Sequence, residues 1–426
     1  MRKLNSGVLV CLFLTGIMVD AESAERAGSG GWPQFLGPNR NGVSRETGMN
    51  FDWIAVPPPV VWKKKSGAGY SSVAVARDRV FVGAQQDGSD LVLCFDAATG
   101  GILWSHRIAD GYIDVQKQGP GPRATPTWHD GRVYCLGPGG DLMCLQEEDG
   151  GEIWRTNVYI ACDVPNPAGE NLYWGMSTSP LVIDELVVCQ PGGDQDNSIA
   201  AFDLQSGKKV WTSGSDYRSY GSPVLARIGG QRQIICYAGD AVLGLTPEGT
   251  ALWRYEHRNQ HKCNCATPVV LGDRVFVSTA YGGGSSLIEL TSRGGTWRVE
   301  EQWNSRQLQT LFATGIVVGD HIYGCHGDLK VCTLRCAELS TGKLKWVSRV
   351  PGRCSMIAVD GHLICLSEDG VVRVVKASPE QYIERGVIRG QLGDKAWSTP
   401  ALADGRLYLR DHKHLVCIDL RRPDRR

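Results

Sequence analysis

The sequence predicts an all-β chain, a β-propeller of about eight four-stranded antiparallel blades, and three observations lead there. A strand signal recurs eight times at intervals of 41 to 54 residues. A glycine turn followed four residues later by tryptophan recurs five times. No long stretch carries helical periodicity, while 53 Gly and 13 Trp supply turns and aromatic anchors beyond ordinary usage.

The strand signal is a β-branched or aromatic run after a turn residue. It reads Arg79-Val80-Phe81-Val82, Arg132-Val133-Tyr134-Cys135, Leu186-Val187-Val188-Cys189 and Gln233-Ile234-Ile235-Cys236 in the first half. The second half repeats it at Arg274 to Val277, His321 to Tyr323, His362 to Cys365 and Arg406 to Leu409. Such residues fit a pleated, half-buried surface. The glycine turns are Gly100, Gly150, Gly207, Gly249 and Gly342, with Trp104, Trp154, Trp211, Trp253 and Trp346 after them. A short hairpin loop needs a residue at positive φ, which glycine supplies without steric cost, so the fixed gap places tryptophan at one point of the next strand. Four strands with their turns in a unit of ~40 to 50 residues make a propeller blade.

The two ends of the chain complement each other. The last repeat stops at Val416 to Leu420 without a tryptophan strand, and Val60-Val61-Trp62 precedes the first repeat without inner strands. An N-terminal strand joining the last blade would close the ring and leave no unpaired edge there. Eight blades follow, or seven if the weak stretch Cys354 to Ile388 is not a blade. The domain organisation is then a signal peptide over 1–21, an N-terminal extension with a leading loop over 22–59, and a single propeller over 60–423.

The clearest repeat runs from Thr178-Ser179-Pro180 to Ala201-Phe202-Asp203-Leu204-Gln205-Ser206-Gly207-Lys208-Lys209-Val210-Trp211. It resembles the PQQ-like repeat of the quinoprotein (alcohol dehydrogenase-like) propellers of exported bacterial proteins. Gly31-Trp32-Pro33-Gln34-Phe35-Leu36-Gly37-Pro38-Asn39-Arg40-Asn41-Gly42 resembles a segment common in such propellers and implies an ordered loop packed on one face. The resemblance implies one of two functions. In the enzymes, PQQ lies in the channel between a tryptophan and a disulfide of adjacent cysteines, beside a calcium held by acidic and amide oxygens, with an Asp as base. In the scaffold members, exemplified by a lipoprotein of the outer-membrane β-barrel assembly machinery, the faces dock partners. This chain has no Cys-Cys dipeptide, is shorter than the enzymes, and offers only Arg123 and Lys395 as basic groups just before channel strands. We therefore expect a non-catalytic binding or scaffold module for protein, peptide or glycan, with PQQ-dependent oxidation of an alcohol or sugar as the alternative, and no metal site.

Met1-Arg2-Lys3, the apolar stretch Gly7 to Val19 and Val19-Asp20-Ala21 have the form of a secretory signal, so a periplasmic or secreted location is expected. Val10 before Cys11 is bulkier than a lipid-attachment signal normally carries. Lys+Arg and Asp+Glu are both 45, so no global positive field recommends nucleic acid. A monomer without a transmembrane span is expected.

Fifteen cysteines in an exported chain raise the question of disulfides. Cys94, Cys144 and Cys336 sit six residues before a turn glycine, where Ala201 stands in the clearest repeat, and Cys417 matches them, so they read as small apolar packers. Cys162, and Cys263 with Cys265, are the better bridge candidates. His261 with Cys263 and Cys265 lacks a standard zinc spacing, and His321 with Cys325 and His326 is isolated. His412 and His414 could share a strand face, but both read as solvated imidazoles. The connection Tyr159 to Gly175 is longer than usual and reads as an irregular packed insert, with a functional loop as the alternative.

The innermost strand of each blade borders the central channel, so candidate ligand contacts lie where these strands begin. A small, hydroxyl-rich ring recurs there, and Ser72, Thr125, Ser179, Ser222, Thr267 and Thr399 are its candidate contacts. Tyr70, Trp174, Tyr220 and Trp397 add planar faces that could stack on a ring, and Arg123 adds a charge.

Overall fold

The computed structural model describes residues 30–114, 116–165, 174–329 and 331–422. The expected signal peptide over 1–21, with Cys11, and the segment 166–173 lie outside the described residues. Among the described residues the strands form eight four-stranded antiparallel sheets, each ordered from an inner to an outer strand, and together they make an eight-bladed propeller. Blade 1 spans Ala74–Ala76, Arg79–Gln86, Ser89–Asp96 and Ile102–Asp110. Blades 2 to 6 follow the same plan, starting at Thr127, Leu181, Val224, Val269 and Ile316. Blade 7 is complete, built from Cys354–Val359, His362–Ser367, Val372–Lys376 and Ile383–Ile388, which settles the count at eight rather than seven. In blade 8, Val60–Lys65 pairs antiparallel with His414–Asp419, so the N-terminal strand closes the ring.

The cross-strand register explains the repeated cysteines. Cys94, Cys144, Cys336 and Cys417 lie directly opposite Trp104, Trp154, Trp346 and Trp62, as Ala201 lies opposite Trp211. A large side chain there would meet the indole. At Gly244, opposite Trp253, an added Cβ would fall 2.1 Å from the indole nitrogen. A register shift, a β-bulge, follows this pair in blade after blade.

Most of these indoles dock on the next blade rather than their own. Trp104 covers Gly150 and donates to the Glu147 carbonyl at 2.9 Å, and Trp154 covers Gly207 and donates to Leu204 at 3.0 Å. Trp211 does the same toward Gly249 and Pro247, and Trp303, outside the regular spacing, toward Gly342 and Leu339. Trp253 departs, bonding Gln233 of its own blade. Blade 7 has no tryptophan on its outer strand, and Trp53 of the N-terminal extension packs against Gly386 in its place. That borrowed indole is why the blade is faint in sequence.

The segment 30–50 lies across one mouth of the channel. Trp32 exchanges backbone hydrogen bonds with Val75 in blade 1, Pro33 accepts one from Trp128 in blade 2, and Val43 bridges Ala358 in blade 7. Between these contacts Arg40 enters the channel, fully buried, and donates to the carbonyls of Ser179, Pro180 and Pro223 and to Thr127 Oγ1 and Gln34 Oε1. Burial pushes its guanidinium down to about 9, still a cation at neutral pH.

Candidate functional site

The residue immediately before the small, hydroxyl-bearing pair occupies the same register in seven of the eight blades. At this position stand Tyr70, Arg123, Ser177, Tyr220, Cys265, Phe312 and Trp397, one each from blades 1 to 6 and 8, and all seven wall one funnel. Its cavity volume is about 150 Å³. Phe35 of the N-terminal segment forms part of the lining, with Arg40 bonded deeper in the channel. The funnel thus opens at the mouth where inner strands begin, and the N-terminal segment closes the other.

Of the candidate contacts, Tyr70, Ser72, Arg123, Trp174, Ser179, Tyr220, Ser222, Trp397 and Thr399 line the funnel. Thr125 and Thr267 do not; both are buried behind it. A belt of hydrogen bonds runs through these positions. The backbone N–H of Thr399 donates to Ser72 Oγ, that of Ser72 to Thr125 Oγ1, that of Thr125 to Ser179 Oγ and that of Ser179 to Ser222 Oγ, at 2.8 to 3.0 Å. Thr267 N–H donates to Thr314 Oγ1 at 3.1 Å. The hydroxyls of Ser72, Thr125, Ser179, Ser222 and Thr314 therefore join blades, each accepting from the backbone N–H of a neighbouring blade.

The aromatic wall is held from behind. Trp397 stacks on Tyr70 at 5.1 Å between centroids, meets Phe312 at 4.9 Å, and donates from Nε1 to Glu368, which also binds Arg353. The ammonium of Lys395 sits 4.5 Å from the Trp397 ring centroid and donates to the Gln118 carbonyl, which Tyr70 also reaches through its phenol. Trp174, carried by the long connection, meets Tyr220 edge-on at 5.4 Å. This connection opens with a short helix at Val158–Ala161, capped by Asn157, and so delivers a wall residue as well as packing. Burial raises the phenols of Tyr70 and Tyr220 and pushes Tyr281 up to about 12, so the phenols stay protonated, that of Tyr70 donating to the Gln118 carbonyl.

Arg123 lies 5.0 Å over the Tyr70 ring and pairs with Asp114 at 3.1 Å, the carboxylate being 1% exposed. Its remaining donors go to the carbonyls of Trp174, Gly119 and Gly121. Burial pulls this guanidinium below its ordinary value, and Asp114 opposes that. The site charge is thus largely neutralised within the wall.

Sequence reasoning missed Phe35, Gln118, Tyr281, Leu311, Phe312, Leu329 and the thiols of Cys263 and Cys265. Phe312 and Cys265 carried a usable signal, since they hold the register of Tyr70 and Trp397; Phe35 carried none. Every cysteine among the described residues is a free thiol, so Cys162, Cys263 and Cys265 are unbridged. No group of three or more metal-ligating side chains occurs among the described residues. His412 is not a solvated imidazole: it packs on Tyr70 at 4.4 Å, in a turn before the strand that begins at His414. No helix among the described residues is long and apolar enough to cross a membrane.

Solved structures share this ring. BamB from Moraxella catarrhalis superposes with a TM-score of 0.59 at 16% identity, over 86% of this chain and 99% of that one. Quinohemoprotein alcohol dehydrogenase from Comamonas testosteroni gives 0.65 at 12% identity, over 94% and 82%. A europium-containing methanol dehydrogenase gives 0.60 at 11%, over 92% and 91%. At these identities the likeness shows the fold alone. No curated protein sequence matches the chain. The sequence model of the family described as outer membrane protein assembly factor BamB matches residues 53–115 and 92–346, most of the propeller. The chain belongs to that family of PQQ-like β-propellers.

Proposed function

We propose that the protein is an exported, non-catalytic propeller that docks a protein, peptide or glycan, and that its funnel seats a single aromatic or sugar ring presented by that partner. The observation that carries this reading is the aromatic wall, Tyr70, Tyr220, Phe312 and Trp397, converging from separate blades on a cavity of about 150 Å³. An apolar cavity of ~150 Å³ holds one benzene-sized ring. Stacking faces with protonated phenols and hydroxyls beside them suit a ring with polar edges.

The dehydrogenase reading would place tricyclic PQQ, with its carboxylates, in the same funnel beside calcium. The residues present do not fit it. Calcium takes ~6 to 8 oxygen ligands, usually including carboxylates. Among the described residues the funnel lining has no carboxylate, and its guanidinium, Arg123, is already paired with Asp114.

The test is to add PQQ with Ca²⁺ to the purified chain, and in parallel a panel of monosaccharides and aromatic glycosides, following thermal stability and dye-linked alcohol oxidation. A saturating ligand at ~100 times Kd stabilises by ~2.7 kcal/mol, which is easily seen. We expect stabilisation by ring ligands, lost in Trp397→Ala. Stabilisation by PQQ with turnover would overturn the proposal.

A further inference from the structure

The geometry points to a thiol–disulfide exchange site on the funnel wall, formed by Cys263 and Cys265, which takes a small disulfide such as oxidised glutathione as its co-reactant. The inference goes beyond the docking function and does not depend on it.

Cys94, Cys135, Cys144, Cys189, Cys236, Cys336, Cys365 and Cys417 are buried in blade interiors, several under an indole, where no disulfide could reach them. Cys263 and Cys265 differ in three ways. Both line the funnel, Cys265 half-buried and Cys263 5% exposed. Their sulfurs are 3.5 Å apart, close to contact. Their backbone is also held in the arrangement that puts both side chains on one side. Asn259 accepts from the Cys263 N–H and donates to its carbonyl, at 3.2 and 2.8 Å. The fully buried Asn264 between them donates to the carbonyls of Ala238 and Gly239 at 2.7 and 3.0 Å, while its own N–H reaches Ser219 Oγ. Residues i and i+2 of an extended segment share a face, and these amides fix that face toward the cavity.

The hydrogen bond with Cys263, followed by burial, raises the Cys265 thiol, and the Arg123 guanidinium opposes the rise. That arrangement keeps the Cys265 thiol protonated beside Cys263 Sγ. The chemistry proceeds in two balanced displacements. The Cys263 thiolate attacks one sulfur of the glutathione disulfide, forming a mixed disulfide and expelling one glutathione thiolate, which takes up the proton Cys263 lost. Cys265, deprotonated in turn, attacks Cys263 Sγ and expels the second glutathione. Two protein thiols are oxidised to one disulfide, and one glutathione disulfide is reduced to two thiols. A bridge closing only three residues removes little chain entropy from the unfolded state, so it adds little stability and is suited to exchange rather than to stapling.

The full chain, equilibrated in glutathione buffers of graded ratio, quenched by alkylation and analysed by peptide mass, tests the site. We expect the peptide holding residues 263 and 265 to lose two hydrogens and resist alkylation in more reducing buffer than any other cysteine. In Cys265→Ser, whose folding is checked by its melting curve, the mixed disulfide on Cys263 should accumulate about tenfold over the parent, because the resolving thiol is gone. The proposal fails if both thiols stay alkylatable across the series, or if Cys325 and Cys332, beside the same mouth, oxidise first. The parent titration decides the question even if the variant does not fold.

Discussion

Trp62, on the strand that precedes the first blade, lies over Gly100, the turn glycine of blade 1, and its indole Nε1 donates to the Ala97 carbonyl at 3.0 Å. An added Cβ on Gly100 would come within 2.6 Å of that ring, at a φ of +68°. Trp62 is hydrogen-bonded into blade 8 through its strand and docked onto blade 1 through its side chain, so one residue joins the ring's two ends. Replacing it by Ala should cost ~3–5 kcal/mol, the range for a buried large aromatic. The denaturant midpoint measures this, and Trp62→Phe should recover part of the loss without the hydrogen bond.

Arg410 ties the same seam from inside. Its fully buried guanidinium donates to the carbonyls of Ser71, Gly83, Gly67 and Ala68, all in or beside blade 1. Arg410→Met leaves those carbonyls without their charged donor, and each such bond is worth ~1.5–3 kcal/mol. We expect a lower unfolding midpoint and hydrogen-exchange protection lost first around residues 67–85, whereas loss spread evenly over all blades would contradict the assignment.

In the funnel wall, Arg123→Met leaves the Asp114 carboxylate, nearly inaccessible to solvent, without its counter-charge and with only the backbone N–H groups of Gln116 and Gln118 as donors. Breaking one side of a buried pair costs ~3–5 kcal/mol, while removing both partners costs far less. The double variant Arg123→Met with Asp114→Asn should therefore be more stable than Arg123→Met alone, by chemical denaturation at pH 7.

His257 gives the fold a pH dependence. Its ring, bonded to the Tyr237 phenol and buried in blade 4, is pushed by burial from 6.5 down to about 4. The unfolded chain then binds the proton more tightly, so the contribution is complete above about pH 6.5 and fades as pH falls toward 4. A shift of this size is worth roughly 3 kcal/mol. Melting temperatures of the parent and His257→Gln between pH 7.5 and 4.5 should converge toward the acid end; parallel curves would exclude the histidine as the cause.

The eight-blade period, the closing strand and the small residue opposite each tryptophan are legible in the sequence because each depends on strand alternation, turn glycine and local spacing. The mouth register that places Tyr70, Tyr220 and Trp397 together is legible for the same reason, since position within a repeat equals position around the ring. Contacts between blades are not written that way. Only the tertiary structure decides that Trp104 belongs to Gly150 and not to Gly100, that Trp53 supplies blade 7 with the indole it lacks, and that the hydroxyls of Thr125 and Thr267 lie behind the funnel rather than in it. It alone carries Phe35 and Arg40 into the channel from a segment with no repeat register, and sets the sulfurs of Cys263 and Cys265 side by side. The physical reason is that local pattern specifies each blade, whereas the channel and its seams are made by side chains from segments far apart in sequence, whose meeting depends on how the closed ring packs.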